Sequence, residues 1–205
     1  MSIEQQIIAA AEHTFDHHGF TASGMDRLTD AAGVSSRTLY KRIGNKNSLM
    51  AAALANRRER FFRFLNVRSI DALFAQLEDW TEAEGARGCL FLRALSDTGG
   101  SVIEVTSEVV VYRQSLRDFI ACLVIEETGT DLAADGILAL FEGAVTAASY
   151  RGRNATQAAR TTAALLLEHS RQYSKGPRCC ASSPSLPIPS RLSIHRRSWP
   201  LFTTH

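Results

Sequence analysis

Apolar residues recur along this chain every three or four positions. From Ile3 to about His18 the residues Ile3, Ile7, Ala11 and Phe15 step by four, Ile8 and Ala10 widen the stripe, and Gly19 closes the run. Such spacing buries one face of an amphipathic helix. A second helix opens at "SGMD", where Ser23 is placed as N-cap and Asp26 three residues on completes a capping box; it carries Leu28, Ala31 and Ala32 and stops at Gly33. A third starts after Ser35, with Leu39 and Ile43 on its inner face. Two short helices joined by a glycine-containing turn read as a helix-turn-helix. Asn45 caps a longer fourth helix from Lys46 to about Leu65, with Leu49, Ala53 and Leu54 facing the core.

Further helices are expected near 69–84, 89–97, 102–127, 131–150 and 155–173, separated by "GARG", "TGG", "TGT" and "RGRN". The segment "SVIEVTSEVVVYR" favours a strand by propensity. Its period decides otherwise, because Val105, Val109, Tyr112, Leu116, Phe119 and Leu123 alternate steps of four and three. The expected fold is all-α, with about nine helices. It divides into an N-terminal three-helix helix-turn-helix domain over 1–47 and a helical ligand-binding and dimerisation domain over 48–174. Residues 175–205 hold all five prolines, many serines and no acidic residue, the composition of a disordered basic tail.

Charge sharpens this picture. The formal net charge of +2 conceals a middle segment, 61–174, with ten Lys or Arg against fifteen Asp or Glu, and two basic ends. Between Gly33 and Arg60 seven cations face Glu59 alone, a local field suited to a polyanion. The four cysteines, Cys89, Cys122, Cys179 and Cys180, show no zinc-ligand spacing, so neither a metal site nor a cofactor is expected. With no leader and no long apolar run, the expected compartment is the cytoplasm, with no membrane contact.

In a helix-turn-helix the first turn of the second helix enters the major groove, where short polar and cationic side chains are needed. Ser36, Arg37 and Thr38 occupy that turn. Arg37 is suited to a bidentate contact with guanine, and Thr38 to a base edge or a thymine methyl. Tyr40 is placed to donate to a phosphate, Lys41 and Arg42 add charge, and Lys46 stands at the start of the fourth helix, where free backbone N–H groups attract phosphate. With Ser23 and Ser35 at the two helix starts, these form the candidate DNA-binding set.

The run from Ile7 to about Met50, with Ala10-Ala11, Phe15, Gly19-Phe20, "DAAGVSSRTLY", Lys46 and Leu49, resembles the DNA-binding domain of the TetR family of bacterial transcriptional regulators. Further on, "ARGCLFLRA" resembles an Arg-Gly-Cys-Pro-Phe stretch of some members' ligand domains, with Leu90 in place of proline. The resemblance implies a homodimer joined through the last two helices and a small effector bound among the central ones. It also implies a regulator acting on double-stranded DNA, expected to be a repressor that an effector releases from a palindromic operator. One face of the eighth helix carries Ile137, Phe141, Ala144, Val145 and Ala148, and one face of the ninth carries Ala158, Thr162 and Leu165. Two such faces can pair into a four-helix bundle. Trp80, Phe91, Tyr112 and Phe119 are the candidate effector contacts, with packing in the core as the alternative. Glu104, Glu108 and Asp118 favour a cationic or neutral effector over an anionic one.

Competing readings attach to a few residues. His13 and His17 share a face at i, i+4 but lack further metal ligands. Cys89 beside Arg87 suggests a thiol enzyme, yet it has no evident base and reads better as a structural thiol. "RRER" at 57–60 reads as a solvated helix face. A helical adaptor that binds protein without DNA affinity is the other alternative to a regulator.

Overall fold

The computed structural model describes residues 2–174, which form nine helices and no strand. They are α1 (Ile3–His18), α2 (Met25–Ala32), α3 (Ser36–Ile43), α4 (Lys46–Phe64) and α5 (Ile70–Glu84), then α6 (Leu90–Thr98), α7 (Ile103–Thr128), α8 (Ala134–Arg151) and α9 (Arg153–Ser174). The tail expected to be disordered, with Cys179 and Cys180, lies outside the described residues.

Local chemistry accounts for the boundaries. Ser2 and Gln5 form a reciprocal capping box at the start of α1, while Ser35, Asn45 and Ser69 each accept from a backbone N–H in the first turn of α3, α4 and α5. The turn between α2 and α3 is a Schellman closure: Gly33 adopts φ 62°, its N–H reaches Asp30, and the Val34 N–H reaches the Thr29 carbonyl. The expected cap on α2 is corrected. Gly24 stands at the N-cap, and Ser23 is fully buried with its hydroxyl donating to the Gly19 carbonyl at 2.6 Å. The eighth helix begins at Ala134 rather than near 131, since a turn closed by the Ala134 N–H on the Asp131 carbonyl precedes it.

The helical period of α7 holds, and Val105, Val109, Tyr112, Leu116 and Leu123 are buried. By its fourth step the stripe has drifted, so Ile120 rather than Phe119 is fully buried, as expected of 3.6 residues per turn against a strict 3.5. Helices α1 to α3 enclose a small core of Phe15, Phe20, Leu28 and Leu39, with Leu49 of α4 beneath; Phe15 and Phe20 stack at 4.7 Å. Helices α4 to α9 form the body around Phe61, Phe74, Tyr112 and Phe141.

Between these two parts lies a buried cluster of charge. Glu12 and Asp16 of α1 are 2% and 3% exposed. Arg57 of α4 reaches Glu12 at 2.6 Å, Asp16 at 3.0 Å and Glu84 of α5 at 3.2 Å. Arg60 bridges Glu12 and Glu84, and Asp16 also meets Arg87 at 2.9 Å and Arg93 of α6 at 3.1 Å. The reading of "RRER" as a solvated face is thereby corrected: Arg57 is the centre of the cluster, Arg58 pairs with Glu108 of α7 at 3.4 Å, and only Glu59 of the four is exposed. A second strut joins the same parts. Asp97 of α6 accepts from the Phe20 N–H at 2.8 Å, close enough that a Cβ on Gly19 (φ 80°) would sit 3.2 Å from its carboxylate.

Burial raises the pKa of Asp16, but the guanidiniums of Arg57 and Arg87 outweigh that effect and hold its carboxyl below the ordinary value of 3.8. A depressed carboxylate stabilises the fold fully above its unfolded-state pKa and loses that contribution as pH falls through the folded-state value. Asp16→Asn is therefore expected to cost about 3 to 5 kcal/mol at neutral pH, as for a broken buried pair. It should also flatten the loss of stability below about pH 4. Urea unfolding of both proteins across that range checks it; parallel acid limbs would remove Asp16 from the cause.

Candidate nucleic-acid interface

The cap and turn described above leave α3 outermost on the N-terminal domain. Leu39 is buried and Ile43 half-buried against the small core, so the opposite face carries Arg37 and Lys41, one turn apart and exposed. Ser36, Tyr40 and Arg42 flank them, and Tyr40 is 49% exposed. Ser35 serves the helix itself, accepting from the Thr38 N–H at 3.2 Å. Thr38 is half-buried, and its hydroxyl shares a 2.9 Å hydrogen bond with that of Ser35. Ser23, sequestered beneath the turn, presents nothing to a ligand and leaves the candidate set.

Lys46 begins α4 beside this face. Its ammonium donates to the Thr21 carbonyl at 3.3 Å, and partial burial lowers its pKa. Of the seven cations between residues 33 and 60, Arg57, Arg58 and Arg60 are committed to carboxylates of the fold. The charge free to meet a polyanion narrows to Arg37, Lys41 and Arg42, with Lys46 at their edge.

In the body, Trp80, Phe91 and Tyr112 come together around a cavity of about 40 Å³, bounded also by Phe61, Phe141 and Arg57. Phe91 and Tyr112 stack at 3.8 Å, and Trp80 meets Phe61 edge-on at 5.2 Å. Phe119 does not join them; it packs against Phe62 at 6.3 Å, outside the cavity. The acidic residues expected to bias the effector are elsewhere too: Glu104 and Asp118 are exposed, and Glu108 pairs with Arg58. An open cleft of about 490 Å³ runs beside the charge cluster, walled by His13, His17, Arg60 and Arg87. His13 and His17 stack at 4.2 Å, and no group of three metal-ligating side chains exists among the described residues. Burial pushes the Cys89 thiol up, opposite to the activation a nucleophile needs.

The two faces proposed for assembly separate. Ile137, Phe141, Ala144 and Ala148 of α8 are buried inside the protomer and Val145 is half-buried, so this stripe packs the body's own core. Phe141 touches Phe61 and Phe74 at 6.1 Å each. Ala158, Thr162 and Leu165 of α9 are exposed, Leu165 at 68%. The side of α8 turned outward carries Ala139, Gly143 and Tyr150 instead. The sequence reading missed these because an amphipathic helix announces its more apolar stripe, which here faced inward. Among the described residues no helix is long and apolar enough to cross a membrane.

Residues 7–53 match the model of the bacterial regulatory proteins of the tetR family. No curated protein matches the sequence. Among solved structures, a TetR-family transcriptional regulator from Streptomyces coelicolor superposes with a TM-score of 0.75 at 22% identity, over 82% of this chain and 96% of that one. A TetR transcriptional regulator from Legionella pneumophila gives 0.69 at 15% identity, over 80% and 97%. NemR of E. coli in its reduced form gives 0.66 at 18% identity, over 80% and 95%. Residues 7–53 thus match the DNA-binding domain of the bacterial regulatory proteins of the tetR family, and the described residues as a whole share the fold of these solved regulators.

Proposed function

We propose that the protein is a homodimeric repressor that holds a pseudo-palindromic operator and is released from it by a small effector bound in the body. The observation that carries the DNA half is the α3 face: Arg37 and Lys41 are exposed and have no ion-pair partner among the described residues, while nearby arginines are absorbed by the fold. Arg37 reads a base edge, and Tyr40, Lys41, Arg42 and Lys46 hold phosphates on either side. Two such faces must meet successive major grooves, about 34 to 36 Å apart for half-sites one turn apart, which calls for a dimer.

The outward faces of α8 and α9, with Ala139, Gly143, Ala158, Thr162 and Leu165, supply the pairing surface. Small residues there let helices approach closely, and Leu165 and Tyr150 give apolar area. For regulation, α4 is the connecting element. Its first residue stands beside the DNA-facing side, and Arg57 and Phe61 near its other end line the cavity. A ligand that binds one arrangement of α4 better than another shifts operator affinity, and the operator must shift ligand affinity by the same factor.

Footprinting on the DNA flanking the gene, followed by anisotropy on the protected site, tests the reading directly; salt-insensitive or absent binding would leave the adaptor alternative. On the best site Arg37→Ala is expected to cost about 1 to 3 kcal/mol and to relax preference at one base pair. Lys46→Ala should weaken all sites alike and lower the salt slope by about one per protomer. Equal losses on specific and random DNA in both variants would reverse these roles.

For assembly, Leu165→Glu is expected to give a folded monomer in sedimentation, because a charge placed on the pairing face is desolvated in the dimer but hydrated in the monomer. Phe141→Glu should instead fail to fold, its side chain being 1% exposed. A Leu165→Glu dimer of unchanged affinity would move the interface elsewhere.

A further inference from the structure

The cavity at the centre of the body has a one-sided polar chemistry. Its walls are aromatic and aliphatic, and the groups that interrupt them are Arg57, Cys89 and Tyr112, with no carboxylate among them. Arg57 is 8% exposed, with its guanidinium 5.8 Å from the centre of the Trp80 ring. Tyr112 is 6% exposed and lines the cavity. Burial raises its pKa well above 10.0, so the hydroxyl stays protonated and remains a donor. Helix α6 starts in the same wall. Gly88 to Phe91 line the cavity, with Cys89 at the N-cap, so the positive end of this helix lies in the same wall.

The charge cluster adds to this. It joins four guanidiniums, Arg57, Arg60, Arg87 and Arg93, to three carboxylates, Glu12, Asp16 and Glu84, leaving one positive charge in excess. The carboxylate of Glu142, which also influences Tyr112, is paired with Arg113 at 3.2 Å.

We propose that this cavity takes a small aromatic anion, its ring held among Trp80, Phe91 and Tyr112 and its charge held by Arg57, the Tyr112 hydroxyl and the first turn of α6. The proposal rests on the effector-responsive reading above and names the effector's class. Size limits it to a single ring. The cavity's 40 Å³ admits about one water, whereas an apolar cavity of about 150 Å³ holds benzene. The ring must therefore part the Phe91–Tyr112 stack, and α6, nine residues long, is the wall that yields. Arg57 carries the consequence outward. An anion at its inner side competes with Glu12 and Asp16 for the guanidinium and loosens α1, the first helix of the DNA-binding domain.

The full chain carrying Trp199→Phe leaves Trp80 as the sole tryptophan, whose fluorescence reports occupancy without DNA. It is titrated with benzoate, with its neutral isostere benzamide, and with the cation benzylamine. Benzoate is expected to bind at least about tenfold tighter than benzamide, and benzylamine not at all. Tyr112→Phe, which keeps the ring and its packing, should reduce benzoate affinity severalfold and leave benzamide unchanged. Arg57→Gln should abolish the preference for benzoate if it folds; Tyr112→Phe decides the matter if it does not. Absence of benzoate binding, equal or tighter binding of benzamide or benzylamine, or indifference of benzoate to Tyr112→Phe would overturn the proposal. Operator affinity with and without benzoate is measured separately. Benzoate bound at Trp80 with operator affinity unchanged would defeat the release mechanism while keeping the site, and a benzamide preference would defeat the site while the DNA-binding reading stands.

Discussion

The orientation of the DNA-binding domain depends on two carboxylates of α1 that are almost without solvent. Glu12 and Asp16 are 2% and 3% exposed, so their charge is met chiefly by guanidiniums, and those come from α4, from the segment before α6 and from α6 itself. Desolvating so many ions costs several kcal/mol per ion, and much of their mutual attraction is spent offsetting it. What the cluster contributes is therefore directional more than it is stabilising. A hydrophobic interface tolerates sliding by a fraction of a turn, whereas a carboxylate shared among three arginines does not, because any displacement strands a buried charge.

That constraint links the two functional regions through one side chain. Arg57 belongs to the cluster and to the cavity wall at once, and α4, which carries it, also carries Lys46 beside the recognition face. At 1.5 Å per residue this helix of nineteen residues spans about 28 Å, so a small tilt at one end is a displacement of ångströms at the other. The strut from Asp97 to the turn after α1 restrains the same domain from α6. Both attachments end on elements that wall the cavity.

The cavity itself is filled by its own aromatics. Phe61, Trp80, Phe91, Tyr112 and Phe141 contact one another at centroid distances between 3.8 and 6.3 Å, typical of stacked and edge-to-face pairs. Packed this way, the body fills its own interior with stacked and edge-to-face rings.

Much of this was legible in the sequence because helices are local. The step of three and four through Val105, Val109 and Tyr112 requires only the geometry of one chain segment, and Ser35, Asn45 and Gly33 act on backbone groups within five residues of themselves. The recognition face follows by the same means, since Leu39 and Ile43 define the inside of α3 and leave Arg37 and Lys41 outside. What tertiary structure alone decided is which partner each face met. Phe141 and Leu165 both lie on apolar stripes, yet one packs on Phe61 and Phe74 within the protomer while the other faces solvent. Ser23 had the spacing of a cap and was taken by the Gly19 carbonyl. Arg57 to Arg60 read as a solvated run, because nothing within a helix's own span reveals that Glu12, Asp16 and Glu84, up to forty-five residues away in the chain, will surround Arg57. Periodicity specifies that a face is buried; only the packed chain specifies against what.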